Sequence, residues 1–293
     1  MANSLRQVQS RINSTKSTAQ ITKAMYMVSQ SKVKKAEKTY KSYKDFMARI
    51  ASMVAQIVSK ADDEYLHPLL KERTVNKTAY LIITSDKGLA GSYNSSIFKA
   101  LEERLKCHKS NDEFIVGAIG KQGFNYIKKR KYPVMYNEPT LVRDDVVFVD
   151  IEPITKKFID EYLSNRIDKL VIVYNHFVNS LTQEVTFEEL LPIKKVDGDI
   201  KPIDFVYENG IEKTLDLLLP LYIKDIIYGI ILDAKTSEHS MRMNSMKNAT
   251  DNANDVIAKL ELLYNRARQA VVTNELIDII GGANAIGGDD SDR

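Results

Sequence analysis

The sequence predicts an α/β fold joined to a long antiparallel coiled coil. Residues 1–67 and 230–280 contain no glycine or proline, and apolar or small residues recur in both at alternating spacings of three and four. This is the 3.5-residue repeat of helices that pack along a partner. Residues 71–209 instead carry short apolar runs separated by segments of helical length, which is typical of a mostly parallel sheet. We therefore expect paired N- and C-terminal helices and a central, doubly wound, Rossmann-like domain.

The N-terminal coiled-coil helix is predicted to occupy residues 1–67. Its repeat holds for sixteen successive positions: Leu5, Val8, Ile12, Thr15, Ala19, Thr22, Tyr26, Ser29, Val33, Ala36, Tyr40, Tyr43, Met47, Ile50, Val54 and Ile57. We expect the helix to end at the His67-Pro68 pair, because proline disfavours the α conformation of the residue before it.

The central segment alternates predicted strands with predicted helices. The strands are expected at residues 78–84, 113–119, 145–149 and 170–174, with an antiparallel edge strand at 183–193. The helices are expected at residues 94–106, 121–131 and 153–165. Strands that alternate with helices of this length form βαβ units, in which neighbouring strands are parallel.

The C-terminal coiled-coil helix is predicted to occupy residues 210–286. Its repeat includes nine positions: Met243, Met246, Thr250, Ala253, Ile257, Leu260, Tyr264, Ala267 and Val271. Each terminal helix thus presents one seam, and an antiparallel pairing would cover both seams at once. Residues 287–293 contain three aspartates, and we expect them to form a disordered acidic tail.

The sequence indicates no active site. The loop SDKGLAGS (residues 85–92) follows the first predicted strand, where a phosphate loop would lie, but Gly88 and Gly91 match neither nucleotide-binding fingerprint. We interpret them as turn glycines. The four histidines have no metal-ligand spacing, and the consecutive residues 237–239 (Ser-Glu-His) would point to different faces of a helix rather than form a triad. We predict no catalytic, cofactor or metal site.

Composition predicts a soluble intracellular protein. The apolar run at residues 215–234 is interrupted by Pro220 and by charged residues, so it does not read as a membrane span. The first residues lack the hydrophobic segment of a signal peptide. A single cysteine, Cys107, fits a reducing compartment.

Charge is distributed unevenly along the chain. The net charge is +3, yet residues 1–44 hold ten Lys or Arg against one acid, Glu37. Such a basic arm indicates an acidic partner (nucleic acid, lipid headgroups or protein carboxylates) or a solvated helix face. Two further functions are open at this point. One is a stand-alone nucleotide-binding protein that uses the turn at residues 88–91, and the other is a nucleic-acid-binding helical protein that uses the basic arm.

Six motifs distributed along the chain carry a resemblance to a known family. They are ITKAM (residues 21–25), ITSDKGLAGSYN (83–94), SEHSMRM (237–243), MKNATDNA (246–253), YNRARQ (264–269) and TNELIDIIGGA (273–283). These motifs closely resemble the gamma subunit of bacterial F-type ATP synthases. The resemblance covers the whole chain, its order and its length.

The resemblance implies a non-catalytic rotor shaft. In that family the paired terminal helices stand inside a ring of alpha and beta subunits, whose catalytic sites bind the nucleotide. The α/β domain contacts the epsilon subunit and the membrane rotor ring of c subunits. Rotation of the shaft couples transmembrane ion flow to ATP synthesis or hydrolysis. The family further implies a peripheral position on the cytoplasmic face of the bacterial cell membrane, with neither nucleic acid nor a direct small-molecule ligand.

The resemblance assigns the first subunit contacts to the N-terminal helix. Met25 lies in the motif that meets an acidic loop of the beta subunit. We expect Lys23 and Lys32 to be the charge partners of that loop, because both lie in the basic arm.

Further contacts are implied elsewhere in the chain. Arg242, Gln269 and Thr273 match positions where gamma subunits contact the surrounding ring near the top of the shaft. Tyr207 and Glu208 match positions where the foot of the shaft approaches the membrane ring.

Overall fold

The computed structural model of the chain describes residues 2–59, 67–141, 143–194 and 210–287. Its helices and strands, in chain order, are α1 (Ala2–Ser59), β1 (Thr78–Ile83), α2 (Tyr93–Leu105), β2 (Phe114–Ile119), α3 (Lys121–Arg130), α4 (Glu152–Leu163), β3 (Lys169–Phe177), β4 (Gln183–Leu191) and α5 (Ile211–Gly287). The chain divides into two compact units. Residues 1–28 and 245–293 form the helix-pair unit, and residues 29–244 form the sheet unit. Helices α1 and α5 contribute residues to both.

The four strands form one sheet in the order β2-β1-β3-β4. Strand β1 is parallel to both β2 and β3, whereas β4 pairs with β3 in the antiparallel sense at the edge. The predicted mostly parallel sheet with an antiparallel edge strand is therefore confirmed. Every residue of β1 is buried, as expected for a central strand covered on both faces.

Two apolar clusters cover the two faces of the sheet. One contains α4 and the parts of α1 and α5 that belong to the sheet unit, with Phe158 and Ile223 fully buried. The other contains α2 and α3, with Ile97 and Ile127 buried. The sheet is thus the middle layer of the unit, and α5 is one of its core helices.

Gly120 allows β2 to turn directly into α3. Its φ is +96°, and a Cβ atom there would lie 2.2 Å from the carbonyl oxygen of Thr84. Other residues rarely adopt this φ, and the contact is with backbone, so a side chain would push Gly120 away from the end of β1. This geometry supports the interpretation of the central glycines as turn residues.

The strand predicted at residues 145–149 is wrong. Residues Phe148–Ile151 instead form a single 3₁₀ turn that leads into α4. The carboxylate of Asp150 accepts a hydrogen bond from the Val147 amide at 3.1 Å, and the Asp150 amide donates to the Val147 carbonyl at 2.9 Å. This local bonding competes with strand pairing, and Val149 is exposed rather than packed on the sheet.

Helix α1 is described as far as Ser59. Residues 60–66, between this point and the predicted stop at His67-Pro68, lie outside the described part of the chain. Helix α5 continues through Pro220, which removes one backbone hydrogen bond. Leu215, Leu219 and Ile223 are fully buried around it, so tertiary packing holds the helix there. Within the described ranges, no helix is long and apolar enough to cross a membrane.

Candidate subunit-contact surface

The predicted seams of the two terminal helices are covered. All sixteen seam positions of α1 and all nine of α5 are buried or half-buried. In the helix-pair unit, the Nζ atom of Lys16 lies 2.7 Å from a carboxylate oxygen of Glu261. A hydrogen bond of 2.8 Å joins the hydroxyls of Thr22 and Thr250. From Lys16 to Thr22 the residue number rises along α1, while that of the contacting residue in α5 falls from 261 to 250. The two helices are therefore antiparallel.

The end of α5 has exposed apolar side chains. Every residue from 272 to 283 is exposed. Five of these residues are large and apolar, with exposed fractions between 48% and 67%: Val272, Leu276, Ile277, Ile279 and Ile280. A continuous group of exposed apolar side chains is the usual signature of a surface that another protein covers. This stretch is therefore the strongest candidate contact surface of the helix-pair unit.

Gln269 and Thr273 adjoin this exposed stretch. Both side chains are exposed, and the Thr273 hydroxyl donates to the Gln269 carbonyl at 2.9 Å along the helix. Gln269 is not a seam position, and its exposed side chain is accessible to a partner.

Lys23 and Met25 lie on α1 in the same unit. Lys23 is exposed and Met25 is half-buried. The nearby side chains of Ile21, Met27 and Val28 are more than half exposed. This part of α1 therefore combines a basic group with accessible apolar surface on more than one side of the helix.

Lys32 lies in the sheet unit and is already paired there. Its Nζ atom lies 2.5 Å from Oδ2 of Asp144. An acidic group of another subunit would have to compete with Asp144 for Lys32. The sequence did not indicate the pairing of Lys32 with Asp144.

Arg242 also lies in the sheet unit, and thus in a different unit from Gln269 and Thr273. Its guanidinium is 2.8 Å from the Glu238 carboxylate and donates to the carbonyl of Lys87 at 3.3 Å. Only 11% of the side chain is exposed. The contacts of Arg242 hold α5 against the loop after β1. Tyr207 and Glu208 lie outside the described residues.

A buried ionic network surrounds Arg242, and sequence reasoning missed it. Lys235 lies 3.2 Å from Glu238, and the Nε2 atom of His239 lies 3.4 Å from Asp144. Hydrogen bonding from His239, reinforced by Lys32, holds the pKa of the Asp144 carboxyl well below its usual range. The network thus joins α1, α5 and the segment before α4. The spacings of three and four residues between Lys235, Glu238 and Arg242 would predict ion pairs along one helix. Nothing near Asp144 in the sequence marks that residue as a partner of the network.

The same residues of α5 occupy the place where sheets of this class bind ligands. Nucleotides bind such sheets in the crevice beyond the carboxyl ends of the parallel strands. Here Lys235 and Glu238 line that crevice, together with Thr84 and Asp86 after β1 and Gly120 after β2. The loop at residues 85–92 is consequently packed against the protein's own helix.

Comparison with known proteins identifies the family. Residues 4–286 match the family described as ATP synthase. Over 284 residues the chain is 42% identical to the ATP synthase gamma chain of Exiguobacterium sp., covering 97% of this chain and 99% of that one. The chain belongs to the ATP synthase gamma family. Members of this family are non-catalytic subunits, which agrees with the prediction from the resemblance.

Solved structures of ATP synthase assemblies contain chains that share the fold. The chain resembles a chain of the central stalk and c-ring structure of Tetrahymena thermophila mitochondrial ATP synthase, with 25% identity, a TM-score of 0.61, and coverage of 78% of this chain and 99% of that one. A chain of the Euglena gracilis mitochondrial ATP synthase structure containing OSCP, F1 and the c-ring matches with a TM-score of 0.70 at 17% identity. That match covers 99% of this chain and 97% of the Euglena chain. The predicted combination of terminal helices and a central sheet is the fold of this family.

Proposed function

We propose that this chain is the central rotor shaft of a bacterial F-type ATP synthase. It couples transmembrane ion flow to ATP synthesis or hydrolysis at catalytic sites on the surrounding alpha and beta subunits. Its other partners are the epsilon subunit and the membrane ring of c subunits, and it is peripheral to the cytoplasmic face of the cell membrane. The observation that carries the proposal is the helix-pair unit, which has a covered seam and ends in exposed apolar side chains.

A shaft must transmit torque, and the helix-pair unit supports this role. The seam buries Ile12 and Ala19 of α1 and Met246 and Ala253 of α5. A long helix that is packed along a partner resists bending far better than an isolated helix, whose stability in water is marginal.

A shaft must also contact its ring differently in each orientation, because an equilibrium shifts only through differential interaction energy. We assign Lys23 and Met25 to contacts with an acidic loop of the beta subunit. Exposed ion pairs are weak and screened by salt, so such contacts permit rotation without trapping one orientation. Lys32 contributes to this basic surface only when its contact with Asp144 is released.

Gln269, Thr273 and the apolar residues after Val271 are proposed to contact the ring near the top of the shaft. Tyr207 and Glu208 are proposed to approach the membrane ring. The contacts of Arg242 with Glu238 and Lys87 favour an additional, internal role. This residue fixes α5 to the loop after β1, and we propose that torque on the helix reaches the sheet through this contact.

Co-expression with the alpha and beta subunits tests the proposal. We expect ATPase activity of the assembled ring to depend on this chain. Replacing Leu276, Ile277 and Ile280 together by alanine should weaken the association of the chain with the ring severalfold, because apolar surface is lost from the contact. The matched control is Leu181→Ala, which removes a side chain that is 84% exposed in the sheet unit. Full ATPase activity without the chain would contradict the proposal.

A further inference from the structure

The sheet unit contains an apolar cavity of about 360 Å³. It lies between α1, α5 and the turn before α4. Its apolar lining consists of Tyr43, Phe46, Ile50, Phe148, Leu218 and Leu221. The volume is at the lower end of the range found for small-molecule sites.

One acidic residue, Asp225, also lines this cavity. Its side chain is 97% buried, with a relative exposure of 3%. The hydroxyl of Tyr43 donates to its Oδ1 atom. Among the described residues, its Oδ2 atom has no hydrogen-bond partner. Burial raises the pKa of this carboxyl, and the Tyr43 hydrogen bond only partly offsets that effect.

An unsatisfied oxygen at this position is costly. A buried polar atom without a partner loses its hydration and gains nothing in return. The nearby cation, Lys224, does not supply the missing donor, because its Nζ atom is 2.8 Å from Glu152 and lies over the ring of Phe148.

Two aromatic rings of the cavity lining, Tyr43 and Phe46, add a second preference for positive charge, whereas the ring of Phe148 already lies under the ammonium group of Lys224. Tyr43 and Phe148 each pack edge-to-face against Tyr228, with centroid distances of 4.8 and 5.7 Å. Phe46 lies 5.7 Å from Tyr43. The faces of aromatic rings attract ammonium groups, and sites that bind such groups combine several rings.

We propose that this cavity binds a small lipophilic amine. Its protonated nitrogen donates a hydrogen bond to Oδ2 of Asp225 and lies against the aromatic rings. Its hydrocarbon body packs against Ile50, Leu218 and Leu221. The proposal is independent of the rotor function, since it rests on the lining of the cavity alone.

Calorimetric titration of the full-length chain tests this proposal with two matched probes. The first is 4-phenylbutylamine, and the second is 4-phenylbutan-1-ol, which has the same body but no charge. We expect the amine to bind at least about tenfold more tightly, because hydrogen bonds to an ionised group are roughly twice as strong as neutral ones and the rings favour a cation. Asp225→Asn should abolish this preference. Glu212→Gln, which removes an exposed acid from the same helix, should leave it unchanged.

A second pair of variants keeps Asp225 intact. Leu221→Trp should reduce amine affinity about tenfold, because the larger side chain fills the cavity. The control is Leu217→Trp, at an exposed position one turn earlier that does not line the cavity, and it should leave amine affinity unchanged. Equal affinities for amine and alcohol would overturn the proposal, since the cavity would then be a general apolar surface for a protein partner. Undetectable binding of the amine, or full amine affinity in Leu221→Trp, would also overturn it.

Discussion

Helix α5 has different surroundings in the two units of the molecule. In the sheet unit, residues 229–240 are all buried, including Lys235, Glu238 and His239. In the helix-pair unit, burial returns only every third or fourth residue and ends at Val271. The charges of the first region are bonded within the protein, whereas the second region leaves most of its circumference available. One continuous helix is therefore a core element in one unit and is largely exposed in the other.

The difference has a simple physical origin. In the sheet unit α5 is surrounded by the sheet, by α1 and by the loop after β1, so even its polar side chains need internal partners. In the helix-pair unit α5 packs along α1. Equivalent substitutions should therefore have unequal effects in the two units.

Glu238→Gln is expected to have the largest effect. It leaves Arg242 without its charged partner and leaves Lys235 with only Asp144, 3.7 Å away. Breaking a buried ion pair from one side typically costs about 3–5 kcal/mol. Urea denaturation of the isolated chain, followed by circular dichroism, measures the loss. A loss below about 1 kcal/mol would show that the network does not hold α5 in the sheet unit.

Ile257→Pro tests the seam of the helix-pair unit. Ile257 is half-buried in the middle of a continuous helix, and an interior proline costs about 3 kcal/mol or more. Far-ultraviolet circular dichroism should show a loss of helix, with Ile257→Ala as the control that removes apolar contact but keeps the backbone bond. Unchanged helicity would contradict the long-helix structure.

Asp144→Asn tests the network through pH. The folded-state pKa of Asp144 is lowered, so its contribution to stability is fully present above its unfolded pKa of about 3.9 and is lost as the pH falls below that value. Stability of the native chain should therefore drop more steeply than that of the variant between about pH 5 and pH 3. Because 43% of the Asp144 side chain is exposed, solvent screening makes this effect smaller than that of Glu238→Gln. Parallel pH profiles would contradict the pairing with His239 and Lys32.

Glu261→Gln is expected to have the smallest effect. This carboxylate pairs with Lys16 on the surface of the helix-pair unit, where both side chains are about half exposed. Exposed pairs contribute less than about 1 kcal/mol. A loss as large as that of Glu238→Gln, measured in the same urea titration, would erase the distinction between the two units.

The sequence predicted those features that depend on local periodicity. The seams, the strands at 78–84 and 113–119 and the edge strand are found within two residues or so of their expected positions. Features that depend on contacts between residues far apart in the chain could not be predicted from local periodicity. Asp144 meets Lys32 and His239 across more than ninety residues. Residues 145–149 hold a short apolar run of strand length but do not form a strand. The family resemblance supplied the proposed contact residues, but not the internal bonds of Lys32 and Arg242.

Rotation itself is the most direct test of the central claim. Cys107 is exposed and is the single cysteine of the chain, so it offers one attachment point for a bead or a fluorophore. With the alpha and beta subunits immobilised, ATP should drive the label around the ring in one direction. ATP hydrolysis that depends on the chain while the label stays fixed would contradict its role as the rotor shaft.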